Sequence, residues 1–109
     1  MSITMNLYYT GSAGSARRFV EEMESSGTAA GIRAEEGNER YDYFLSLADP
    51  ETVLLIDQWK DQAALDAHHA SPYMEKLVAL RDKYDLHMQV ERYVTDDSMP
   101  QTDQQFIRK

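Results

Sequence analysis

Residues 52–74 read TVLLIDQWKDQAALDAHHASPYM and predict a strand, a turn and a capped helix in immediate succession. Thr52–Trp59 is rich in β-branched and apolar side chains, which is typical of a buried strand, and it ends on the only tryptophan of the chain. Asp61 is suited to cap the N-terminus of a helix over Gln62–Ala70. This helix is expected to bring its two histidines within reach of Trp59. Any functional site is therefore predicted in this segment.

The remaining sequence extends this unit to a complete domain. Alternation of apolar and polar residues and helical periodicity predict further strands at Ile3–Tyr9, Tyr41–Leu47 and Leu86–Tyr93, and further helices at Ser12–Ser26, Thr28–Glu35 and Pro72–Tyr84. Ser71 and Pro72 form the predicted cap and first residue of the last helix. The order βαββαβ favours an α+β sandwich of the ferredoxin-like kind, with helices on one face of a four-stranded antiparallel sheet.

Both faces of the predicted sheet are apolar at the centre. The helices can cover only one face, so the other is expected to pack on the sheet of a second copy and form a homodimer. The domain is expected to span residues 1–94. The polar segment 95–109 is expected to be a C-terminal tail whose Phe106 and Ile107 dock on the partner subunit.

The composition excludes several classes of function. A net charge of −8 argues against nucleic-acid binding, which needs clustered Lys and Arg. The absence of cysteine excludes disulfides and thiolate ligands or nucleophiles. No signal-peptide pattern and no apolar run of membrane-spanning length is present, so we expect a cytoplasmic protein.

The adjacent histidines His68 and His69 are the first candidates for chemistry. Neighbouring helical residues point about 100° apart, so one ring can face the interior while the other faces water. Leu65 lies three residues before His68, which favours His68 as the inward residue. A neutral imidazole there could take a proton from an acidic phenol or enol. The structural alternative is a histidine that bonds to backbone and fills the gap between helix and sheet. Adjacent helical positions cannot chelate one ion, so no metal site is predicted.

Three further residues have both a structural and a functional interpretation. Trp59 is either core or a cavity wall whose indole N–H binds a ligand oxygen. Asn6, within an apolar strand, could orient a substrate carbonyl or simply face solvent. Asp57 shares the face of Trp59, and we expect it to pair with Arg92 rather than to orient a histidine. The acidic pair Glu35–Glu36 is expected to be solvated.

The segment Arg33–Met74 resembles the antibiotic biosynthesis monooxygenase (ABM) domain family, including its quinol monooxygenase-like members. The resemblance rests on Glu35-Glu36-Gly37 before a strand, the Asp49-Pro50 hairpin, Trp59, His68 nine residues later, and Ser71-Pro72. It implies a dimeric α/β barrel of two ferredoxin-like subunits, with a cavity between each sheet and its helices. Oxygenases of this family use no metal, flavin or haem, because the deprotonated hydroquinone or polyphenol itself reduces O₂.

The resemblance also implies roles for individual residues. The expected catalytic residues are His68 as base, Trp59 as wall or donor, and Asn6 to orient the substrate. The expected substrate-binding residues are Tyr43, Asp57, His69, Met74 and Leu77. The predicted function is a cofactor-independent monooxygenase that oxidises a quinol-like or polyphenolic small molecule with O₂.

Two alternatives remain open from the sequence. One is a non-catalytic small-molecule-binding or stress-response dimer of the same fold. The other is haem degradation, which is disfavoured because Val78 stands where the haem-degrading branch has its iron-ligating histidine.

Overall fold

The computed structural model describes all 109 residues as four strands and five helices. The strands are β1 (Ile3–Thr10), β2 (Asn38–Leu45), β3 (Thr52–Trp59) and β4 (His87–Val94). The helices are α1 (Ser15–Ser25), α2 (Thr28–Arg33), α3 (Gln62–His69), α4 (Pro72–Lys83) and α5 (Gln101–Gln104). None of these helices has both the length and the apolar character needed to cross a bilayer.

The strands form one antiparallel sheet in the order β2-β3-β1-β4. The central strand β1 pairs with β3 and β4, so Met5 lies opposite Asp57 on one side and Arg92 on the other. Helices α1 to α4 pack on one face of the sheet and contribute buried residues to a single core. This arrangement confirms the predicted ferredoxin-like α+β fold.

The strand β3 explains how the core is placed on one face. Its burial alternates strictly along the strand, with Val53, Leu55, Asp57 and Trp59 buried and the residues between them half-buried. Such alternation follows from the period of two of a β-strand. Each fully buried large apolar side chain stabilises the fold by about 1.5–3 kcal/mol. Asp57 is the one carboxylate in this buried row, which makes its surroundings important for the site.

The position of β2 differs from the prediction. It begins at Asn38 and ends at Leu45, so it is shifted toward the N-terminus relative to the predicted range 41–47. Gly37 has a φ of 84°, and its carbonyl accepts a hydrogen bond from the Lys60 N–H at 2.9 Å, so pairing starts directly after this turn. Leu47, the predicted end of the strand, lies beyond it and is fully exposed, so the prediction that it belongs to the strand is wrong.

The two predicted helix starts after β3 have different outcomes. The Asp61 carboxylate accepts a hydrogen bond from the Ala64 N–H at 2.9 Å, which confirms the predicted cap of α3. Pro72 occupies the start of α4 as predicted. The hydroxyl of Ser71 makes no capping bond and is buried without a partner, so the predicted side-chain cap of α4 is wrong.

The second face of the sheet carries no helix. Tyr8, Leu54 and Ile56 are half-buried at its centre, and Phe44 and Tyr93 are 41% and 50% exposed. We call this surface the open sheet face. It is an apolar area on the side opposite the core.

The segment 95–109 continues past β4. Its first residue, Thr95, donates a backbone hydrogen bond to the Ser2 carbonyl at 3.1 Å. All residues of the segment are exposed, including those of α5 and the apolar Phe106 and Ile107.

Candidate active site

A cavity of about 200 Å³ lies between the sheet and helices α3 and α4. Side chains from all four strands contribute to its walls, which are mostly apolar. The apolar walls include Met5, Leu7, Leu55, Met74, Leu77 and Met88. The polar side chains that reach the cavity are those of Tyr9, Tyr41, Asp57, His68, His69 and Arg81. The cavity is therefore suited to a small, largely apolar molecule with a few polar groups.

His68 is held by a carboxylate on one side of the cavity. Its side chain is buried, and its Nδ1 lies 3.0 Å from Oε1 of Glu35. An ionised carboxylate only accepts hydrogen bonds, so with Glu35 ionised the donor is Nδ1–H of His68. In the neutral form of the imidazole this arrangement leaves the lone pair of Nε2 free. The alternative in which the ring of His68 bonds to a backbone group is therefore wrong. Its partner is a side chain 33 residues away.

Glu35 is a site residue that the sequence analysis missed. It follows α2, and its side chain is 15% exposed, whereas that of its neighbour Glu36 is 94% exposed. The prediction of a solvated acidic pair is therefore wrong for Glu35 and confirmed for Glu36. No local pattern indicates this difference, because the contact with His68 joins residues 33 positions apart in the sequence.

Trp59 supports the imidazole of His68 from the sheet. The two rings are stacked, with centroids 4.6 Å apart and planes at 26°. Trp59 is completely buried and lies behind His68 rather than in the cavity wall. Stacking and the bond to Glu35 together fix the orientation of the imidazole.

His69 lies at the rim of the cavity. It is exposed, and its ring centroid is 5.7 Å from that of His68. The prediction that His68 faces inward and His69 faces water is confirmed.

Asp57 is a buried carboxylate in the wall of the cavity. It is 5% exposed, and its Oδ1 has no hydrogen-bond partner. Burial raises the pKa of Asp57 to about 7, the neighbouring charge of Glu35 acts in the same direction, and the indole N–H of Trp59 lowers it. That indole does not reach hydrogen-bonding geometry with the carboxylate, since Nε1 is also unpaired.

The expected salt bridge between Asp57 and Arg92 is wrong. Arg92 donates to Oε1 of Gln62 at 2.7 Å instead. The side chain of Met5 lies between the two positions on the same sheet face, because Met5 is opposite both residues in the strand register.

Tyr9 and Arg81 are further cavity residues that the sequence analysis did not single out. Tyr9 is fully buried, its hydroxyl has no partner, and burial raises the pKa of this phenol well above its ordinary value. Arg81 is half-buried on α4, and its charge lowers the pKa of Tyr9. Tyr9 shares the core face with Met5 and Leu7 by the alternation of β1, but no sequence signal indicates that its hydroxyl lacks a partner.

The predicted site residues are only partly brought together. His68, His69, Asp57, Met74 and Leu77 all line the cavity. Tyr43 does not, because its hydroxyl lies 3.2 Å from that of Tyr41 and its ring borders a separate surface groove beside α1.

Asn6 lies on the open sheet face, away from the cavity. The cavity residues Met5 and Leu7 flank it in β1, and successive residues of a strand point to opposite faces. Its Oδ1 is buried without a partner on that face. The structure therefore does not place Asn6 where it could orient a substrate beside His68, which was its expected role.

The site has the parts needed for acid–base chemistry on a small molecule. It has an imidazole held by a carboxylate, a second buried carboxylate and an apolar enclosure. No three His, Asp or Glu side chains come together in a metal-binding arrangement.

The sequence pattern of the antibiotic biosynthesis monooxygenase (ABM) family matches residues 2–80, which include every strand and helix that forms the cavity except β4 and the end of α4. The chain belongs to this family. The match extends the resemblance read from residues 33–74 to most of the domain.

The chain is also similar to individual known proteins. The chain is 38% identical over 47 residues to the "Putative monooxygenase YcnE" of Bacillus subtilis (strain 168), a match that spans 43% of this chain and half the length of that relative. Its fold is similar to that of SnoaB, a cofactor-independent oxygenase from Streptomyces nogalater, with a TM-score of 0.75 at 16% identity over 91% of this chain and 97% of that one. Rv0793 from Mycobacterium tuberculosis has a TM-score of 0.76 at 17% identity, over 92% of this chain and 100% of that one.

Proposed function

We propose that the protein is a cofactor-independent monooxygenase that oxidises a quinol-like or polyphenolic small molecule with O₂. The observation that supports this most is the buried pair of His68 and Glu35, stacked on Trp59 at the edge of an apolar cavity. Membership of the ABM family and a fold shared with a cofactor-independent oxygenase support the same reaction class.

In this proposal His68 is the general base. Because Glu35 accepts the Nδ1–H, the free Nε2 takes the proton of a ring hydroxyl, and the carboxylate then stabilises the imidazolium that forms. Trp59 keeps the ring in place from behind. The apolar walls exclude water from the resulting phenolate, which leaves it electron-rich and reactive.

Oxygen is the only oxidant that the reaction needs. The phenolate gives one electron to O₂, and the superoxide and phenoxyl radical then join through a new carbon–oxygen bond at a ring C–H carbon. The O–O bond breaks, one oxygen stays on the ring carbon as a carbonyl, and the other leaves as water. That water takes the ring hydrogen and the proton returned by His68, so atoms and electrons balance.

Oxygen uptake tests the proposal. Purified protein, dialysed against a chelator, is mixed with hydroquinones in an oxygen-electrode cell beside His68→Ala and the matched control His87→Ala, whose imidazole is on the exposed edge strand β4. We expect uptake that survives chelation, is unchanged in His87→Ala and falls by roughly 100-fold or more in His68→Ala.

Two other results would contradict the proposal. Saturable binding of aromatic ligands with no oxygen uptake would favour the non-catalytic small-molecule-binding dimer. A Soret shift on titration with haemin, lost in His69→Ala, would favour haem binding.

We also propose that two copies form a homodimer through the open sheet face. That face has Leu54 and Ile56 at its centre and exposed Phe44 at its edge, and no element of the same chain covers it. Sedimentation should show a dimer that Ile56→Asp dissociates and that Ala79→Asp, on the exposed side of α4, leaves intact.

The tail 95–109 is proposed to dock on the partner subunit through Phe106 and Ile107. Both side chains are exposed in the single chain, 82% and 50% respectively. Truncation after Asp96 is expected to weaken the dimer, and an unchanged dissociation constant would exclude this role.

A further inference from the structure

Arg81 on α4 is the only arginine or lysine in the wall of the cavity. Its Nε and Nη2 each lie 3.3 Å from Oδ1 of Asp82, whose side chain is 69% exposed. Its Nη1 lies 3.9 Å from Sδ of Met88, which lines the cavity. A thioether is only a weak acceptor, so the part of the guanidinium nearest the cavity wall has no oxygen partner.

The hydroxyl of Tyr9 is a second unpaired group in the same wall. It is buried, and Tyr9 lies directly opposite Met88 in the strand register. Residues opposite each other in antiparallel strands have Cβ atoms about 5 Å apart, so Met88 lies beside both Tyr9 and Arg81. Burial and the charge of Asp57 raise the pKa of the Tyr9 phenol, whereas the charge of Arg81 lowers it. The phenol therefore keeps its proton at neutral pH and can donate a hydrogen bond.

The unpaired groups near His68 form a separate region. Asp57 is opposite Met5, four residues before Tyr9 in β1, and four residues of strand span about 13 Å. Burial raises the pKa of Asp57 and the neighbouring indole N–H of Trp59 lowers it, so a donor already lies beside this carboxyl group. His68 stacks on the same indole. The cavity therefore has two polar ends, one around Trp59 and one around Tyr9.

The chemistry at the Tyr9 end limits what can bind there. A guanidinium has only donors and keeps its positive charge, and the phenol supplies a further donor. A carboxylate has two accepting oxygens and balances the charge, whereas an uncharged amide or hydroxyl leaves the charge without a counterion. The cavity of about 200 Å³ has room for an aromatic ring that carries such a group, since about 150 Å³ is enough for benzene.

We propose that Arg81 and Tyr9 bind a carboxylate group of the ligand, at the end of the cavity away from His68. The aromatic nature of the ligand rests on the proposed function, whereas the carboxylate rests on Arg81 and Tyr9. In the proposed reaction the carboxylate holds one end of the ring and a ring hydroxyl reaches His68 at the other. The preferred substrate is then a hydroxylated aromatic acid rather than an uncharged quinol.

Binding without turnover tests this inference. Titration calorimetry near neutral pH compares benzoate with benzamide, which has nearly the same shape and no charge. We expect the native protein to bind benzoate at least about tenfold more tightly than benzamide. Arg81→Gln should weaken benzoate binding by about 10- to 100-fold and change benzamide binding by less than about threefold.

Two further variants complete the design. Tyr9→Phe removes only the hydroxyl, and we expect it to weaken benzoate binding by about five- to tenfold. It decides the question alone if circular dichroism shows that Arg81→Gln does not fold. Arg108→Gln, which removes an exposed guanidinium from the tail, is the matched control and should bind both probes as the native protein does.

The outcomes separate this inference from the proposed function. Native benzoate affinity in either folded variant, equal affinity of the native protein for the two probes, or no binding of benzoate would each overturn the inference. Benzoate binding that depends on Arg81 and Tyr9 without any oxygen uptake would keep the inference and contradict the monooxygenase. Oxygen uptake that depends on His68, with benzoate affinity independent of Arg81 and Tyr9, would do the reverse.

Discussion

Replacement of Asp57 by Asn should change how the stability of the protein depends on pH. Burial raises the pKa of Asp57 from 3.8 to about 7, so the folded protein retains a proton that the unfolded chain releases. The stability associated with this proton is full below pH 3.8 and is lost as the pH rises through about 7. The difference between the two pKa values corresponds to about 4 kcal/mol of unfolding free energy, at about 1.4 kcal/mol per pH unit.

Asparagine does not titrate, which allows a difference measurement. The free energy of unfolding of Asp57→Asn minus that of the native protein should increase by about 4 kcal/mol between about pH 4 and pH 8. Any change in the free energy of unfolding that burial of the asparagine amide causes is the same at every pH, so this constant term does not affect the increase. The contributions of titrating groups that both proteins share cancel in the difference.

Urea unfolding followed by circular dichroism, at fixed protein concentration, gives the two free energies at each pH. The control is Asp97→Asn, in which the replaced carboxylate is exposed. A difference for Asp57→Asn that stays level, or that decreases as the pH rises, would refute the reasoning.

Three further predictions concern residues at the starts of α3 and α4 and the carboxylate that holds His68. Asp61→Ala should lower the free energy of unfolding by about 1 kcal/mol in urea titrations, because it removes the cap of α3, and no loss would contradict the capping role. Ser71→Ala should cost less than about 0.5 kcal/mol in the same assay, since its hydroxyl bonds to nothing, and a loss equal to that of Asp61→Ala would contradict this. Glu35→Gln should lower the kcat of oxygen uptake by roughly 100-fold and change its pH profile with little effect on KM, and an unchanged profile would show that Glu35 only fills space.

The fold could be predicted from the sequence because its signals are local. The predicted limits of β3 match the structure, since alternation and the following Asp61 mark both ends of the strand. The range of β2 was misplaced because its start depends on Gly37 and on pairing with the residues around Trp59, which lie far along the chain. Serine is a residue type suited to capping a helix. The path of the backbone nevertheless decides whether the hydroxyl of Ser71 reaches an N–H, and the sequence does not show this path.

The candidate site was predictable only where the periodicity of a helix or strand determines the direction in which a side chain points. The inward position of His68 followed from its spacing to Leu65. Its partner Glu35 could not be identified, because that contact joins the turn after α2 to helix α3, which lies beyond the whole β2–β3 hairpin. Alternation along β1 places Asn6 on the face opposite Met5 and Leu7, which line the cavity. The predicted role of Asn6 in orienting a substrate conflicted with this alternation.

The stacking of Trp59 on His68 gives the protein an optical reporter of its own cavity. Trp59 is the only tryptophan, so all indole emission comes from one buried ring in contact with the proposed base. A protonated imidazole stacked on an indole quenches its fluorescence more strongly than a neutral one. The emission of the unlabelled protein therefore follows the charge of His68, and the proton transfer at the site can be timed in a stopped-flow instrument without any added dye.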